Sequence, residues 1–265
     1  MLKLIKQMLK EVFMSDRISI LKEVIDKMGK ISIKELEKAF PNISSMTIRR
    51  DLKKLEENND VLRVSGGVVS LNSVVQEKDK DFSARIHYNV TEKIEIAEKA
   101  IKIVEPKSCI FIDGGSTTTY FARTLPDDNF YILTNSMVIA ETILRKQKPT
   151  VSFVGGDLRR NTLIAIGKTC LDFIDGINIQ TAVMTATGYI KDTGGFSCGS
   201  QSEAEVKRKV IQKADSVIML LDSSKVNKKT PYTFANLSDI DCMVVDSNFP
   251  QEIINVMKEK GIEVF

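Results

Sequence analysis

Residues 44–55 of the sequence read Ser-Ser-Met-Thr-Ile-Arg-Arg-Asp-Leu-Lys-Lys-Leu. Ile48, Leu52 and Leu55 recur at the i, i+4, i+7 spacing that places side chains on one face of a helix. The other faces carry hydroxyl groups and basic side chains. This pattern predicts a helix that packs through its apolar face and presents a basic, hydrogen-bonding surface outward.

A shorter helix is predicted immediately upstream. Ser32 and Glu35 have the spacing of a capping box, and the helix that they begin would run to Phe40. The Pro-Asn pair at 41–42 then forces a turn, after which either serine of residues 44–45 can cap the second helix. Two helices are therefore expected to meet across a tight turn.

A small hairpin is predicted after the second helix. Val61–Val64 and Val68-Val69 have strand character and flank Ser65-Gly66-Gly67, a turn sequence. Two helices across a tight turn, followed by a hairpin, form a winged helix-turn-helix domain. In such a domain the second helix lies in the major groove of DNA and the hairpin is the wing.

A basic run on a helix is more often only its solvated face than a binding surface. Here the consecutive order of capped helix, turn, basic helix and hairpin favours DNA binding. Arginines on the helix could contact guanine edges, whereas hydroxyl groups and a basic wing residue could contact phosphate. The predicted DNA-binding residues are Ser44, Ser45, Thr47, Arg49, Arg50, Lys53 and Arg63.

The charge distribution agrees with this location. The 265 residues include 38 Lys/Arg and 35 Asp/Glu, a formal net charge of +3. Residues 1–70 hold 14 of the basic and 10 of the acidic residues, so they carry +4 and the remainder carries −1. A basic coat over the whole chain is therefore excluded, and the excess lies in the predicted DNA-binding domain.

The composition also excludes several other classes of protein. The four cysteines and the single His87 lack metal-ligand spacing, so neither a zinc site nor a disulfide framework is expected. Charged residues interrupt residues 1–13, which argues against a signal peptide, and Met14 offers a second possible translation start. No later run has the length of a membrane span. We expect a protein of the reducing cytoplasm with no membrane partner, no metal and no cofactor.

From residue 91 onward, compact apolar runs alternate with amphipathic segments, which is the pattern of an α/β domain. The runs predicted as buried strands are 109–112, 131–133, 151–154, 182–184 and 216–221. The segments predicted as helices are 91–104, 118–125, 137–145 and 201–214. We expect a DNA-binding domain at 1–70, a polar linker at 71–90, and an α/β domain at 91–265.

The first strand of this domain leads into a loop suited to an anion. Asp113 follows the strand, Gly114 and Gly115 allow backbone amides to approach closely, and residues 116–119 bring hydroxyl groups to the start of a helix. Polar residues follow three further strands, and the carboxyl ends of parallel strands meet at one edge of a sheet. Such loops also serve as plain turns, and a loop lysine is often merely solvated. Their convergence nevertheless favours one pocket for a small phosphorylated ligand, with Asp113, Gly114, Gly115, Ser116, Thr117, Thr118, Thr134, Asn135, Ser136, Gly155, Gly156 and Lys225 as its predicted residues.

The sequence resembles the DeoR-type bacterial transcriptional regulators. In the first domain the resemblance rests on residues 45–52 and 62–67. In the second it rests on Glu92-Lys93 and the polar segments that follow the strands. The sequence departs from the family pattern at Asn58-Asn59-Asp60, where a glycine is usual, at Ser65, where histidine is common, and at Gly115-Ser116, where Gly-Thr is commoner.

The resemblance implies a winged helix-turn-helix domain followed by a sensor domain with the fold of ribose-5-phosphate isomerase. It implies that Gly114–Thr118 hold the phosphate of a sugar phosphate, with Asp113 and Lys225 nearer the sugar, and that this ligand weakens operator binding. The resemblance also places near the pocket Gly188, Gly194, Gly195, Phe196, Glu203 and Lys207. Glu203 and Lys207 are equally a routine i, i+4 helix pair.

We therefore predict a repressor of a sugar-utilisation operon that binds double-stranded operator DNA and a sugar-phosphate effector. A single short helix reads few base pairs, so a homo-oligomer, dimer or tetramer, is expected to bind paired half-sites. The alternative is a sugar-phosphate isomerase with a fused DNA-binding module, in which Asp113 would be the base. The fused DNA-binding module favours a sensor without catalysis, because it makes ligand binding meaningful without turnover.

Overall fold

The computed structural model describes residues 17–28, 30–41, 43–57, 60–64, 67–70 and 82–265. Its contacts divide the chain into two units, Met1–Lys80 and Asp81–Phe265. Several predictions lie outside the described residues: the interrupted stretch 1–13, the alternative start at Met14, Asn42, Asn58-Asn59, the turn residues Ser65-Gly66, and residues 71–81 of the linker. The remainder of the predicted linker, 82–90, lies in the second unit.

The first unit combines helices with a small antiparallel sheet. In chain order the described elements are α1 (Arg17–Met28), β1 (Lys30–Ser32), α2 (Ile33–Ala39), α3 (Ser45–Glu57), β2 (Val61–Val64) and β3 (Gly67–Ser70). Strand β3 pairs with both β1 and β2. The predicted helix-turn-helix and the two strands of the wing are thereby confirmed, and β1 adds a strand that the sequence pattern did not indicate.

Local sequence chemistry explains these helices. The predicted capping box is present: the Ser32 hydroxyl accepts from the Glu35 amide, and the Glu35 carboxylate accepts from the Ser32 amide. On α3, the predicted apolar face of Ile48, Leu52 and Leu55 is buried in the core of the unit. The 3.6-residue period of the sequence thus determines which side of α3 faces outward.

The second unit is an α/β domain, as predicted. Its strands are β4 (Cys109–Ile112), β5 (Tyr131–Thr134), β6 (Thr150–Phe153), β7 (Asp157–Leu158), β8 (Ala165–Ile166), β9 (Ile179–Thr185), β10 (Gly188–Ile190), β11 (Gly195–Cys198), β12 (Ala214–Leu221), β13 (Tyr232–Asn236), β14 (Cys242–Val245) and β15 (Glu263–Val264). Its helices are α4 (Phe82–Arg85), α5 (Val90–Ala100), α6 (Ser116–Thr124), α7 (Met137–Leu144), α8 (Lys168–Asp175), α9 (Gln201–Lys213) and α10 (Gln251–Glu259), with 3-10 turns at Ile101–Ile103, Ser223–Lys225 and Leu237–Asp239.

Seven strands form a parallel sheet in the order β15-β14-β12-β9-β4-β5-β6. The chain builds the sheet outward from β4 to β6, then returns to β9 and builds outward in the opposite direction. In such doubly wound sheets, ligands bind at the carboxyl ends of the strands where the direction reverses. Here those strands are β4 and β9, so the topology predicts a ligand site at the residues that follow them.

Helices cover both faces of this sheet, and the side chains of β4 alternate between them. Ile110 and Ile112 pack in one apolar cluster, and Phe111 packs in the other. No helix among the described residues is long and apolar enough to cross a membrane.

Two smaller sheets stand apart from the seven-stranded one. Strands β10, β11 and β13 form an antiparallel sheet, and β7 pairs with β8 in a hairpin. The sequence prediction did not include these strands, nor β14, β15, α8 and α10. Several are only two or three residues long, too short for a periodic pattern to indicate them.

Candidate functional site

The outward side of α3 carries the predicted DNA-binding residues. Arg49, Arg50, Lys53 and Lys54 are all exposed. Ser44 precedes the helix and caps it, because its Oγ accepts a hydrogen bond from the Thr47 amide at 3.2 Å. The arrangement places two adjacent arginines, close to the capped end of a helix, in reach of a polyanion.

The only acidic residue within 44–55, Asp51, points away from this surface. Its side chain is buried and receives two hydrogen bonds from Arg17 of α1, from Nε at 2.6 Å and from Nη2 at 3.1 Å. A bidentate arginine pair of this kind fixes orientation as well as charge. Asp51 therefore ties α3 to α1 and does not dilute the positive charge of the exposed face.

Two other predicted residues have local partners. The Ser45 hydroxyl donates to Glu37 of α2, and the hydroxyls of Ser44 and Thr47 lie 2.8 Å apart. These contacts hold the turn between α2 and α3. That these hydroxyls also contact DNA stays a prediction, in addition to their contacts within the turn.

Arg63 lies on β2 with its side chain exposed. Its Nη1 is 3.9 Å from a carboxylate oxygen of Glu56, and the same carboxylate accepts from the Arg63 amide at 3.1 Å. An exposed pair of this kind contributes little to stability. The guanidinium can therefore exchange Glu56 for a DNA phosphate at small cost.

We predict that Arg63→Ala weakens binding to all DNA sequences alike, because a phosphate contact carries no base information. The slope of log affinity against log salt should become shallower by about one unit, the contribution of one phosphate contact. Fluorescence anisotropy with operator and random duplexes at several salt concentrations measures both quantities. Loss of affinity for the operator alone would contradict the phosphate assignment.

At the sheet reversal, Asp113 follows β4 and faces the end of β9. Its carboxylate accepts a hydrogen bond from the Thr185 amide at 3.1 Å and pairs with the ammonium of Lys207 on α9. The same ammonium donates to the Thr185 carbonyl at 3.0 Å and lies 3.7 Å from Glu203. Asp113, Lys207 and Glu203 are all buried.

The charges of this buried group depend on one another. Burial opposes the charge of Lys207, but the nearby carboxylates of Asp113 and Glu203 outweigh that effect and raise its pKa. Burial raises the pKa of Glu203, and the charge of Lys207 limits the rise. Lys207 is therefore the cation that holds two acids beneath the carboxyl edge of the sheet.

The loop after Asp113 approaches its neighbours too closely for side chains. A Cβ on Gly114 would lie 2.2 Å from Ile164, and a Cβ on Gly115 would lie 2.4 Å from Thr185. The glycines thus allow the start of α6 to sit between the ends of β4 and β9 and the segment around Ile164.

Helix α6 begins directly after these glycines with no side-chain cap. The hydroxyls of Thr118 and Thr119 both donate to the Gly115 carbonyl, at 3.0 and 2.7 Å. Among the described residues, the hydroxyls of Ser116 and Thr117 have no such partner. The first amides of a helix lack intrahelical acceptors, so this uncapped end has amide and hydroxyl donors for an anion.

The predicted residues at the carboxyl end of β5, residues 134–136, mainly support the backbone. The Thr134 hydroxyl donates to the Ile112 carbonyl at 2.7 Å, and the Ser136 hydroxyl caps α7. The Asn135 amide donates to the Ala165 carbonyl at 2.9 Å, whereas its buried Oδ1 has no hydrogen-bond partner among the described residues. Asn135 therefore retains one acceptor for a ligand.

Gly155 and Gly156 follow β6 and lead into the β7–β8 hairpin. A Cβ on Gly155 would meet nothing within 4 Å, so space is open there. Gly156 has φ +148°, and a Cβ on it would lie 2.4 Å from the Ile166 carbonyl oxygen. The requirement for glycine is therefore at 156, where the chain turns into the hairpin.

Lys225 is half-buried in the 3-10 turn that follows β12. Burial lowers the pKa of its ammonium to about 8, and the positive charges of Lys228, Arg85 and Lys93 lower it further, against the opposing effect of Asp222. Asp222 caps the same turn through the Ser224 amide, and its buried Oδ2 has no hydrogen-bond partner among the described residues. Lys225 is thus a cation whose charge an anionic ligand would stabilise.

The sequence interpretation missed three cations near this edge. Arg85 fell within the predicted linker, and Arg159 lies in the unanticipated hairpin, where it donates to Ser200. Lys93 was quoted only for a family resemblance, yet it is buried and donates to the Arg85 carbonyl at 2.8 Å. An isolated arginine in a polar stretch has no local signal that distinguishes it from a solvated one.

Other features of the unit bear less on this edge. Cys198 is buried, and burial together with Glu203 raises the pKa of its thiol to about 12, which makes it a poor redox sensor. His87 is exposed. Within the described ranges, no group of three His, Cys, Asp or Glu residues is placed to hold a metal ion.

Two concave regions occur elsewhere on the unit. One, of about 570 Å³, lies between α8 and α9, and the other, of about 490 Å³, lies at the amino ends of β12 and β14. Neither includes a predicted ligand-binding residue. The lysines that line the first region, Lys168 and Lys209, are paired with Asp172 and Asp175.

Comparison with known proteins gives matches along nearly the whole chain. The family described as the DeoR-like helix-turn-helix domain matches residues 17–74, and the DeoR C terminal sensor domain matches residues 88–247. The HTH-type transcriptional regulator IolR of Bacillus subtilis (strain 168) is 32% identical over 249 residues, 94% of this chain and 97% of that protein. The glycerol-3-phosphate regulon repressor of Escherichia coli (strain K12) is 29% identical over 243 residues, 91% of this chain and 94% of that protein. Among solved structures, ribose 5-phosphate isomerase A of Methanocaldococcus jannaschii has a TM-score of 0.39 at 18% identity, covering 52% of this chain and 55% of that chain.

Proposed function

Since this chain belongs to the DeoR family of DNA-binding transcriptional regulators, we propose that it represses a sugar-utilisation operon and leaves its operator when a phosphorylated sugar binds to its sensor domain. The observation that carries the proposal is the uncapped start of α6, with its donors at Ser116 and Thr117, on the same sheet edge as the cation Lys225. Amides, hydroxyls and a cation together are the chemistry that binds a phosphate monoester.

In this proposal each predicted domain has its own role. Residues 1–70 bind the operator through α3 and the wing, residues 71–90 link, and residues 91–265 bind the effector and another copy of the chain. The phosphate lies at residues 114–118, and Asn135 and Lys225 contact the sugar or its phosphate. A dimer or tetramer would match paired half-sites. The relative named for the glycerol-3-phosphate regulon adds support for a phosphorylated effector.

Binding without turnover fits the surroundings of Asp113. An aldose–ketose isomerase needs a carboxylate that can accept a proton from carbon. The Asp113 carboxylate is instead engaged within the protein, since it pairs with the Lys207 ammonium and accepts a hydrogen bond from the Thr185 amide. The relatives named above are transcriptional regulators. Sensitive assays on pentose and hexose phosphates test this point, and turnover that Asp113→Asn abolishes would favour the isomerase alternative.

A thermal-shift panel of sugar phosphates and their unphosphorylated parents tests the effector class, since a ligand that binds only the folded state raises Tm. We expect a phosphorylated compound to raise Tm and its parent to have a much smaller effect. The same compound should release operator DNA, with a coupling of about 1–3 kcal/mol. Linkage requires operator DNA to weaken effector affinity by the same factor, and an unchanged affinity on DNA would contradict the allosteric proposal.

We predict that the double substitution Ser116→Ala with Thr117→Ala abolishes release by the active sugar phosphate while leaving operator affinity within about twofold of the wild type. The reason is that two hydroxyl donors to phosphate are lost, at about 1.5–3 kcal/mol for each hydrogen bond to a charged group. Thr124→Ala, at the opposite end of the same helix, is the matched control. Operator binding titrated with and without the compound gives the result. Normal release in the double variant would move the phosphate site elsewhere.

A further inference from the structure

One segment of the second unit contacts the carboxyl edge of the sheet and is also the part of the unit that directly follows residues 71–81 in the chain. We call residues 82–89 the strap. It comprises α4 and the four residues that follow, and the chain continues from Phe82 through residues 71–81 toward the first unit. A movement of the strap therefore also moves the point at which the sensor domain joins the chain that connects it to the DNA-binding domain.

Three hydrogen bonds attach the strap to three different elements of the candidate site. The Phe82 amide donates to the Asn161 carbonyl in the β7–β8 hairpin at 2.8 Å. The Tyr120 hydroxyl of α6 donates to the Ile86 carbonyl at 3.2 Å. The Asn89 amide donates to Asp222, which caps the turn of Lys225, at 3.3 Å.

The side chain of Lys93 holds the backbone in the middle of the strap. The buried ammonium of Lys93 donates to the Arg85 carbonyl at 2.8 Å and also to the Tyr88 carbonyl. These contacts fix the backbone of Arg85 between α6, whose start is the proposed phosphate site, and the turn of Lys225. Asn89 supports the bend with φ +49°.

Arg85 adds its positive charge to that of the lysines around Lys225. The Nε of its guanidinium is buried, and the positive charge of Arg85 lowers the pKa of the Lys225 ammonium and opposes the rise that burial causes in the pKa of Glu203. Lys93 and Lys228 add to the same field at Lys225, with Asp222 as the opposing charge. Repulsion between these cations falls when an anion lies between them.

We propose that Arg85 is a further effector-binding residue and that the strap closes on the phosphate that Arg85 and Lys225 share. The inference rests on the proposed function, because it assigns another ligand to the same anion. The bound anion replaces repulsion between Arg85 and Lys225 with attraction to both, so occupancy tightens the attachment of the strap to the sheet edge.

The test uses the full-length protein and inorganic phosphate as the probe. Affinity is measured by calorimetry, and hydrogen–deuterium exchange is followed in peptides that cover residues 82–89. In the wild type we expect phosphate to slow exchange in the strap. In Arg85→Gln we expect phosphate affinity to fall about tenfold or more, as for a lost charge-assisted hydrogen bond, and the slowing to disappear. Arg145→Gln removes the same charge from an exposed site at the carboxyl end of α7 and should change neither quantity.

Two further variants separate binding from folding. Arg85→Lys keeps the charge and should recover most of the phosphate affinity. Asn89→Gly allows the same left-handed backbone and removes only the amide that contacts Asp222, so it should speed exchange in the strap before phosphate is added.

Arg85→Gln that binds phosphate as the wild type does, while the Ser116/Thr117 double variant does not, would overturn the role of Arg85 and leave the proposed function intact. Wild-type protein that binds neither phosphate nor any sugar phosphate would overturn both. Phosphate that binds through Arg85 without slowing exchange in the strap would overturn the closure.

Discussion

Lys207→Ala should lower the free energy of unfolding of the second unit by about 3–5 kcal/mol, the usual cost of leaving a buried charge without its partner. Lys207 is the cation between Asp113 and Glu203, and all three side chains are buried. Without it, two carboxyl groups must lose their charge or remain unpaired in a poorly solvated place. Urea unfolding followed by circular dichroism, with the transition of the second unit resolved, measures the effect.

The matched control is another lysine on the same helix, two residues after Lys207. Lys209 pairs with Asp175 at the surface, so Lys209→Ala should change stability by less than about 1 kcal/mol. The double variant Lys207→Met with Asp113→Asn removes both charges and should recover much of the loss, because an apolar replacement can be as stable as a buried ion pair. Equal effects of Lys207→Ala and Lys209→Ala would contradict the structural role assigned to Lys207.

Arg49→Ala and Arg50→Ala should each weaken specific operator binding by about 1–3 kcal/mol if the arginine contacts a guanine, and the double variant should abolish detectable specificity. Both side chains are exposed on α3, and the acid between Arg50 and Leu52 is turned inward to Arg17. Asp51 therefore does not neutralise the positive charge that Arg49 and Arg50 present on this face. Anisotropy titrations with operator and scrambled duplexes at fixed salt separate specific from general binding.

Arg145→Ala, which removes one exposed arginine from the second unit, is the control for net charge and should leave operator affinity unchanged within error. Unfolding curves of the arginine variants should match the wild type, because neither side chain is buried. Full operator affinity in both single variants would remove α3 from the proposed interface.

Much of this arrangement was predictable because its signals are local. The spacing of Ile48, Leu52 and Leu55 identified the buried face of α3, and the pairing of Ser32 with Glu35 identified the start of α2. The Asp113 loop was recognisable because a strand, two glycines and a helix start occur within ten residues of sequence. Local patterns of this kind reflect backbone geometry that neighbours in sequence determine.

The charge pairs were not predictable, since their partners are distant in sequence. The Asp51 carboxylate is buried against Arg17, 34 residues earlier in the chain, and no pattern near Asp51 indicates that partner. Lys207 was interpretable as a routine partner of Glu203 on one helix face, yet its shorter contact is with Asp113, on a different element. Periodicity reports which face of a helix is buried, but not which side chain of another element meets it.

The order of the sheet strands also has a consequence for synthesis of the chain. Asp113 directly follows the first strand of the sheet, but its partners Thr185 and Lys207 come 72 and 94 residues later. The contact of Arg17 with Asp51 spans only 34 residues. During translation the amino-terminal part emerges first and folds as a unit. We therefore expect a growing chain to complete its DNA-reading surface long before its effector site exists, so that a prematurely terminated chain would present that surface without the domain that regulates it.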